Sequence, residues 1–127
     1  GTNPCGEIIL RPCGLCNLSE VVVRSEDTPD TLAKKVRIAT IIGTFQSTLT
    51  DFRYIRKQWK RNAEDERLLG VSLTGIMDSK LTSGLDCGDL LQDLRATSIT
   101  VNKEWADKLG INPSVAITTV NLSSFVE

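Results

Sequence analysis

The chain has no histidine, one methionine and one tyrosine, and aromatic residues make up only 5% of its 127 residues. Without an imidazole, histidine-activated nucleophiles, histidine proton shuttles and histidine-containing metal sites are excluded for this chain. Uninterrupted apolar runs are only a few residues long, so no segment spans a bilayer as a helix. Basic and acidic residues nearly balance, 15 against 16, and a net charge of −1 gives no bulk attraction to nucleic acid or to an anionic membrane surface. The first residues lack the basic-then-apolar order of a secretory leader, so a cytoplasmic location is expected. In that compartment the four cysteines read as thiols, ligands or catalytic groups sooner than as a disulfide framework. The remaining composition, 40% apolar and 24% charged, is that of an ordinary globular chain. Its length suits one domain that buries roughly two-thirds of its unfolded surface.

Local patterns give an element order. Glu7 to Leu10 and Leu18 to Arg24 are apolar, β-branched runs on either side of a turn sequence with Pro12 and Gly14, which predicts two short strands or extended segments. Thr28-Pro29-Asp30 supplies an N-cap hydroxyl, a proline at the first helical position and an acid in the first turn. From there Leu32, Val36, Ala39, Ile42, Phe45, Leu49 and Phe52 recur at helical spacing, predicting one helix from Pro29 to Phe52 with this face in the core. Truncating Phe45 on such a face would cost about 3–5 kcal/mol. The basic stretch that follows, with Tyr54 and Trp59 interleaved, reads as a short solvated helix whose charges are offset by Glu64, Asp65 and Glu66, rather than as a nucleic-acid patch. "LLGVSLTGIMD" reads as a buried strand running into a loop. Leu90, Leu94, Val101, Trp105 and Leu109 mark a second amphipathic helix closed by Gly110, and "SVAITTV" reads as a last strand over 114–120. The resulting β-β-α-β-α-β order points to an α/β fold with parallel strands and crossover helices.

Three of the cysteines, Cys5, Cys13 and Cys16, fall within twelve residues. Cys13 and Cys16 form a C-x-x-C, but a structural zinc site wants four ligands, usually in two close pairs, and Cys5 and Cys87 are isolated in sequence. A thioredoxin-type pair opens a helix, whereas this one runs into a strand-like sequence. Cys87 is well explained as a small buried thiol. That explanation does not cover Asn3, Cys5 and Glu7, whose alternate positions an extended segment presents on one face. An amide can hold a ligand hydroxyl, a carboxylate can take its proton, and a thiol without a base can still carry a radical.

Four stretches, "NPCGEI", "CNLSEV", "RLLGVSLTGIMD" and "GINPSVAITTV", occur in the order and spacing that resemble the large chain of ribonucleotide reductases, with the nearer likeness to the adenosylcobalamin-dependent class II branch. The resemblance runs from residue 2 to about residue 120. It implies part of a ten-stranded α/β barrel threaded by a finger loop, here a hairpin over 2–24, followed by helices and strands over 28–120 and a divergent tail over 121–127. It also implies roles. Cys5 would be the thiyl radical that abstracts the 3′ hydrogen, Glu7 the base on the 3′ hydroxyl, Asn3 a hydrogen-bonding partner of the ribose hydroxyls, and Cys16 one of the thiols that reduce the 2′ carbon. Adenosylcobalamin, a ribonucleotide substrate and an N-terminal half of the barrel are the cofactor and partners implied; no metal site, nucleic acid or membrane is. Cys13 has no counterpart in the family pattern.

Departures bear on function. The partner thiol of Cys16 belongs to the N-terminal half of the barrel, the tail cysteines that re-reduce the pair are not in this sequence, and the Lys-Pro-Ser-Gly-Thr loop expected after "AITTV" is replaced by "NLSSFVE". The expectation is a catalytic-core fragment that is inactive alone and self-associates through unpaired strand edges. Two alternatives stand beside it: one piece of a split reductase completed by a separate N-terminal half, and a small independent redox or metal-binding protein using Cys13 and Cys16.

Overall fold

The computed structural model describes residues 1–3, 6 and 8–119; Pro4, Cys5, Glu7 and residues 120–127 lie outside the described residues. Two strands, β1 (Cys16–Val22) and β2 (Leu68–Thr74), pair in parallel, in register from Cys16 against Leu68 to Val22 against Thr74. Between them run α1 (Pro29–Gln46) and α2 (Lys57–Glu66). After β2 come a 3-10 turn (Ile76–Asp78), the short α3 (Lys80–Ser83) and the long α4 (Gly88–Leu109). Residues 115–119 then lie along the second edge of β2, with a parallel bridge between Val71 and Thr118 and amide donations from Leu69 to Ala116 O (3.0 Å) and from Val71 to Ile117 O (2.8 Å). Among the described residues the fold is mixed α/β, a two-stranded parallel sheet with four α-helices.

Side-chain alternation divides the sheet into two faces. Val21 and Val23 from β1 and its continuation, with Leu69 and Val71 from β2, join Leu32, Val36 and Ala39 of α1, Leu94 of α4 and Ile117 in one buried cluster. Helices therefore cover this face. Buried polar residues on α1 and α4 include Thr40, Thr44, Ser98 and Asn102, and Asn102 donates to Thr44 across the two helices. Thr40 and Thr44 return their hydroxyls to carbonyls one turn back, at 2.8 and 2.7 Å, which satisfies them within α1 and lets the two helices approach.

The start of α1 follows from local chemistry. The Thr28 hydroxyl accepts from the Thr31 amide at 3.3 Å, and the Thr31 hydroxyl accepts from the Thr28 amide at 2.8 Å, closing a reciprocal cap with Pro29 in the first turn. Asp27 locks the preceding connector by accepting from the Arg24 amide (2.8 Å), the Thr31 hydroxyl (2.9 Å) and Lys35 Nζ (2.6 Å). The Lys35 hydrogen bond, then that from the Arg24 amide, holds the Asp27 carboxyl below its ordinary pKa.

Four sequence expectations need correction. First, α1 ends at Gln46 rather than Phe52. Past it, the hydroxyls of Ser47 and Thr48 take the carbonyls of Thr44 (2.7 Å) and Phe45 (2.6 Å), the competition with the backbone that such residues offer. Second, the apolar stripe is core only in its N-terminal half: Leu32, Val36 and Ala39 are buried, but Ile42, Phe45 and Leu49 are 56%, 44% and 72% exposed. The sheet and α4 meet α1 instead at Gly43, Thr40 and Thr44, which no hydrophobic periodicity marks. Third, the described residues of the expected strand over 7–10 make only one isolated antiparallel bridge, Ile9 to Thr2, and 114–119 forms no extended ladder. Fourth, Cys87, expected to be buried, is a half-buried free thiol at the start of α4.

Candidate functional site

The N-terminal segment folds back on itself. The Asn3 amide donates to Ile8 O (3.2 Å), the Leu10 amide to Gly1 O (2.9 Å), and the Gly6 amide to Asn3 O (3.0 Å). Asn3 also accepts from the Ile8 amide through Oδ1 at 3.1 Å, so part of its amide group holds the loop itself. The last of these backbone bonds ties Gly6 to Asn3. Cys5 and Glu7 lie outside the described residues.

Next comes a tight turn, Arg11-Pro12-Cys13-Gly14, closed by the Gly14 amide on Arg11 O at 2.9 Å. Proline at the second position and a positive φ at the third are the marks of a type II turn. The third residue is Cys13, at φ 62°, where glycine or asparagine is the usual choice. α2 grips this turn. Asn62, only 6% exposed, donates through Nδ2 to Pro12 O (2.9 Å) and Cys13 O (3.2 Å). Arg11 donates to Asn62 O at 3.2 Å and forms ion pairs with Asp65 (3.4 Å) and Glu66 (3.1 Å). The acids expected to offset the basic residues of α2 are thus partly engaged with Arg11.

Three residues after Cys13 the chain enters β1 at Cys16. Ser19 donates to Ala39 O of α1 (3.1 Å), which fixes the odd-numbered positions of β1 on the helix side. Cys16, Leu18 and Glu20 therefore share the opposite face with Gly70 and Ser72 of β2. Gly70 leaves room for them. A Cβ there would overlap Leu18 Cδ2, lie 3.1 Å from Thr119 Cγ2, and come within 3.4 Å of Cys16 Sγ. The helix-free face thus gathers Cys16 from β1 and Thr119 from the last described segment around a glycine.

The far side of the site is set by two polar anchors. Arg67, in a left-handed conformation at φ 42°, donates to Ser47 O (2.8 Å) at the end of α1 and to Asn112 Oδ1 (3.0 Å). Asn102, 1% exposed, donates to Thr44 Oγ1 (3.0 Å) and Ser114 Oγ (3.0 Å) and accepts from the Ser114 amide (2.9 Å). Together they deliver residues 115–119 to the edge of β2. None of Asn62, Arg67 and Asn102 was legible as a site-forming residue. Asn102 sits at a core-facing position of α4, and a lone amide among apolar positions was the one available signal.

Among the described residues, no group of three or more cysteines and acids is placed to hold a metal ion. A cavity of about 320 Å³ is lined by apolar residues of both helical and sheet elements, Val36, Val71, Leu73, Ile76, Leu91 and Leu94, together with Arg95, Thr118 and Thr119. That volume is at the low end for a drug-sized ligand and well short of a corrinoid. This cavity does not fit a corrinoid. No helix among them is long and apolar enough to cross a membrane.

Three adenosylcobalamin-dependent ribonucleoside-triphosphate reductases are similar to this chain over 99% of its length. The proteins of Lactobacillus acidophilus and Lactobacillus helveticus are each 27% identical to it, and that of Lacticaseibacillus paracasei is 29% identical. The chain spans 20% of the length of each of these relatives, so it corresponds to a part of them. The likeness carried by the four sequence motifs is borne out. No family model matches the chain, and no solved structure matches it.

Proposed function

We propose that this chain is a segment of the catalytic core of an adenosylcobalamin-dependent ribonucleotide reductase, and that its strands are a sector of a ten-stranded α/β barrel whose helix-free face looks inward. Cys5 carries the thiyl radical that takes the 3′ hydrogen of the ribose. Glu7 is the base on the 3′ hydroxyl, and Asn3 holds the ribose hydroxyls. Cys16 and a second thiol outside this chain give up two electrons and two protons, becoming a disulfide as the 2′ hydroxyl leaves as water. What carries this reading is similarity along 99% of the chain to proteins named for that activity, with Cys16 on the face the helices leave open.

The chain supplies only part of the machinery. In this reading the second reducing thiol and the corrinoid site come from elsewhere in the enzyme. The remainder of the barrel, on the same or a separate polypeptide, is the partner this reading requires. Alone, the chain is inactive, and Leu18 and Val22, 42% and 43% exposed on the open face, favour self-association.

Activity decides the matter. With adenosylcobalamin, a ribonucleoside triphosphate and a dithiol, the 127-residue chain alone gives no deoxyribonucleotide. Supplying the remainder of a relative in trans restores turnover. Cys5→Ser abolishes it, because the O–H bond is too strong for a hydroxyl to replace the radical-carrying thiol, and Glu7→Gln lowers it by about 10²–10⁴-fold. Turnover by the chain alone, or survival of activity in Cys5→Ser, refutes the assignment.

A further inference from the structure

The turn that precedes Cys16 is held in a way its own sequence does not favour. Cys13 occupies a left-handed conformation at φ 62°, one that residues with a Cβ rarely adopt. Nothing local requires it: Gly14 is next door, and a glycine one position earlier would make the same turn without strain. The conformation is imposed from outside, by groups that converge from the last turns of α2. Asn62 Nδ2 reaches both Pro12 O and Cys13 O, at 2.9 and 3.2 Å. Asn62 O accepts from Arg11, whose guanidinium also pairs with Asp65 and Glu66. Glu66 Oε2 is buried and accepts no hydrogen bond, so among the described residues Arg11 is its one counter-charge. Asn62 is itself nearly buried, at 6% exposure. This is a polar clamp on a strained turn, not the ordinary capping of a helix end.

We infer that Asn62 and Arg11 are positioning residues for the thiols of this loop: by clamping the 11–14 turn onto α2 they fix where Cys13 and Cys16 stand. The inference rests on the proposed role of Cys16 as a reducing thiol. A thiol that must meet a second thiol from elsewhere in the barrel has to leave the turn in one direction, and the turn ends two residues upstream of Cys16. With the clamp open, only the Gly14 amide on Arg11 O still holds the left-handed Cys13, and relaxation of the turn moves the first residue of β1.

Site-resolved alkylation of the intact chain with iodoacetamide, read by mass spectrometry at Cys13, Cys16 and Cys87, tests the clamp. Cys87, at the N-cap of α4, is the internal control for general loosening. Asn62→Asp keeps the shape of the side chain but turns the donating amide into an acceptor facing two carbonyls. It should raise the alkylation rates of Cys13 and Cys16 about tenfold relative to Cys87, the equivalent of about one lost hydrogen bond. Should that variant fail to fold, Arg11→Gln, at a 39% exposed side chain, should give a smaller rise at the same two thiols. Unchanged rates at Cys13 and Cys16, or an equal rise at all three, overturn the inference. In the complemented enzyme Cys16→Ser should abolish multiple turnover; if it does not, the redox role of Cys16 fails while the alkylation result still judges the clamp.

Discussion

Asn102 should be among the most costly residues in the chain to remove, although it belongs to no motif. Its side chain joins three parts of the molecule: it lies on α4, donates to Thr44 on α1 and to the Ser114 hydroxyl, and accepts from the Ser114 amide. At 1% exposure, water cannot replace these bonds. Thr44 keeps a partner when Asn102 is truncated, because its hydroxyl still donates to Thr40 O. The Ser114 amide loses its acceptor. Three bonds at about 1 kcal/mol net each, with one partly buried amide left unpaired, give about 3–4 kcal/mol for Asn102→Ala. That is a large fraction of the total of about 5–15 kcal/mol on which a domain of this kind rests.

Urea denaturation of the chain, followed by tryptophan fluorescence, measures this. Asn102→Leu separates the hydrogen bonds from the cavity, since it fills the volume but makes none of them; it should still lose about 2–3 kcal/mol. A double-mutant cycle with Thr44→Val should return a coupling of about 1 kcal/mol for their one bond. If Asn102→Ala costs under about 1 kcal/mol, the α1–α4–Ser114 junction does not hold the fold in the way these distances imply.

The two halves of the α1 stripe should answer differently to truncation. Val36→Ala, in the core cluster, should cost about 2 kcal/mol, while Phe45→Ala, whose ring lies 5.4 Å from that of Trp105 at the surface, should cost only about 1 kcal/mol. Equal losses would contradict the exposure of Phe45. Asp27 gives a pH signature. Its folded pKa is lowered by Lys35 and the Arg24 amide, so its stabilising contribution is complete above the ordinary carboxylate pKa of about 3.9 and is lost as pH falls through the lower folded value. Asp27→Asn should therefore flatten the acid limb of a stability-against-pH curve, and an unchanged limb would show that the Lys35 contact does not persist in solution.

Elements whose cause is local were legible in the sequence. Thr28, Pro29 and Thr31 form a cap from four consecutive positions, and Gly110 closes α4 in a left-handed conformation at φ 66°, as its place after Leu109 implied. The buried strand over 68–74 and the parallel pairing also followed, from an apolar run and from the length of the helical connection. What failed was decided at a distance. Periodicity marks which residues of a helix share a face, but not where along the helix that face stops being covered, so Phe45 and Leu49 looked the same as Leu32. For the site, the chemistry-bearing types near Cys16 were visible, whereas Asn62 acts on residues 50 positions earlier and Arg67 on one 45 positions later. No spacing rule connects such pairs.

The two faces of the sheet separate stability from chemistry. On the helix side the chain closes its own core: Leu32, Val23 and Val101 are almost wholly buried, and α1 and α4 meet over hydroxyls already satisfied. On the other side, Cys16 stands beside a glycine where even one added carbon would collide with Leu18, and Leu18 and Val22 remain exposed. On this face β2 is buried, with Leu68 and Ser72 at 9% and 2% exposure, so it is the β1 edge, with Leu18 and Val22, that a further layer would cover. In the proposed barrel, neighbouring strands contributed from elsewhere would cover this exposed β1 edge. That arrangement also fits the proposed division of labour, in which this chain supplies one reducing thiol and the second comes from outside it. Substitutions among Leu32, Val36 and Leu69 should then be read through stability, and those at Cys16 and Gly70 through reactivity, with the Asn62 clamp as the place where the two are coupled.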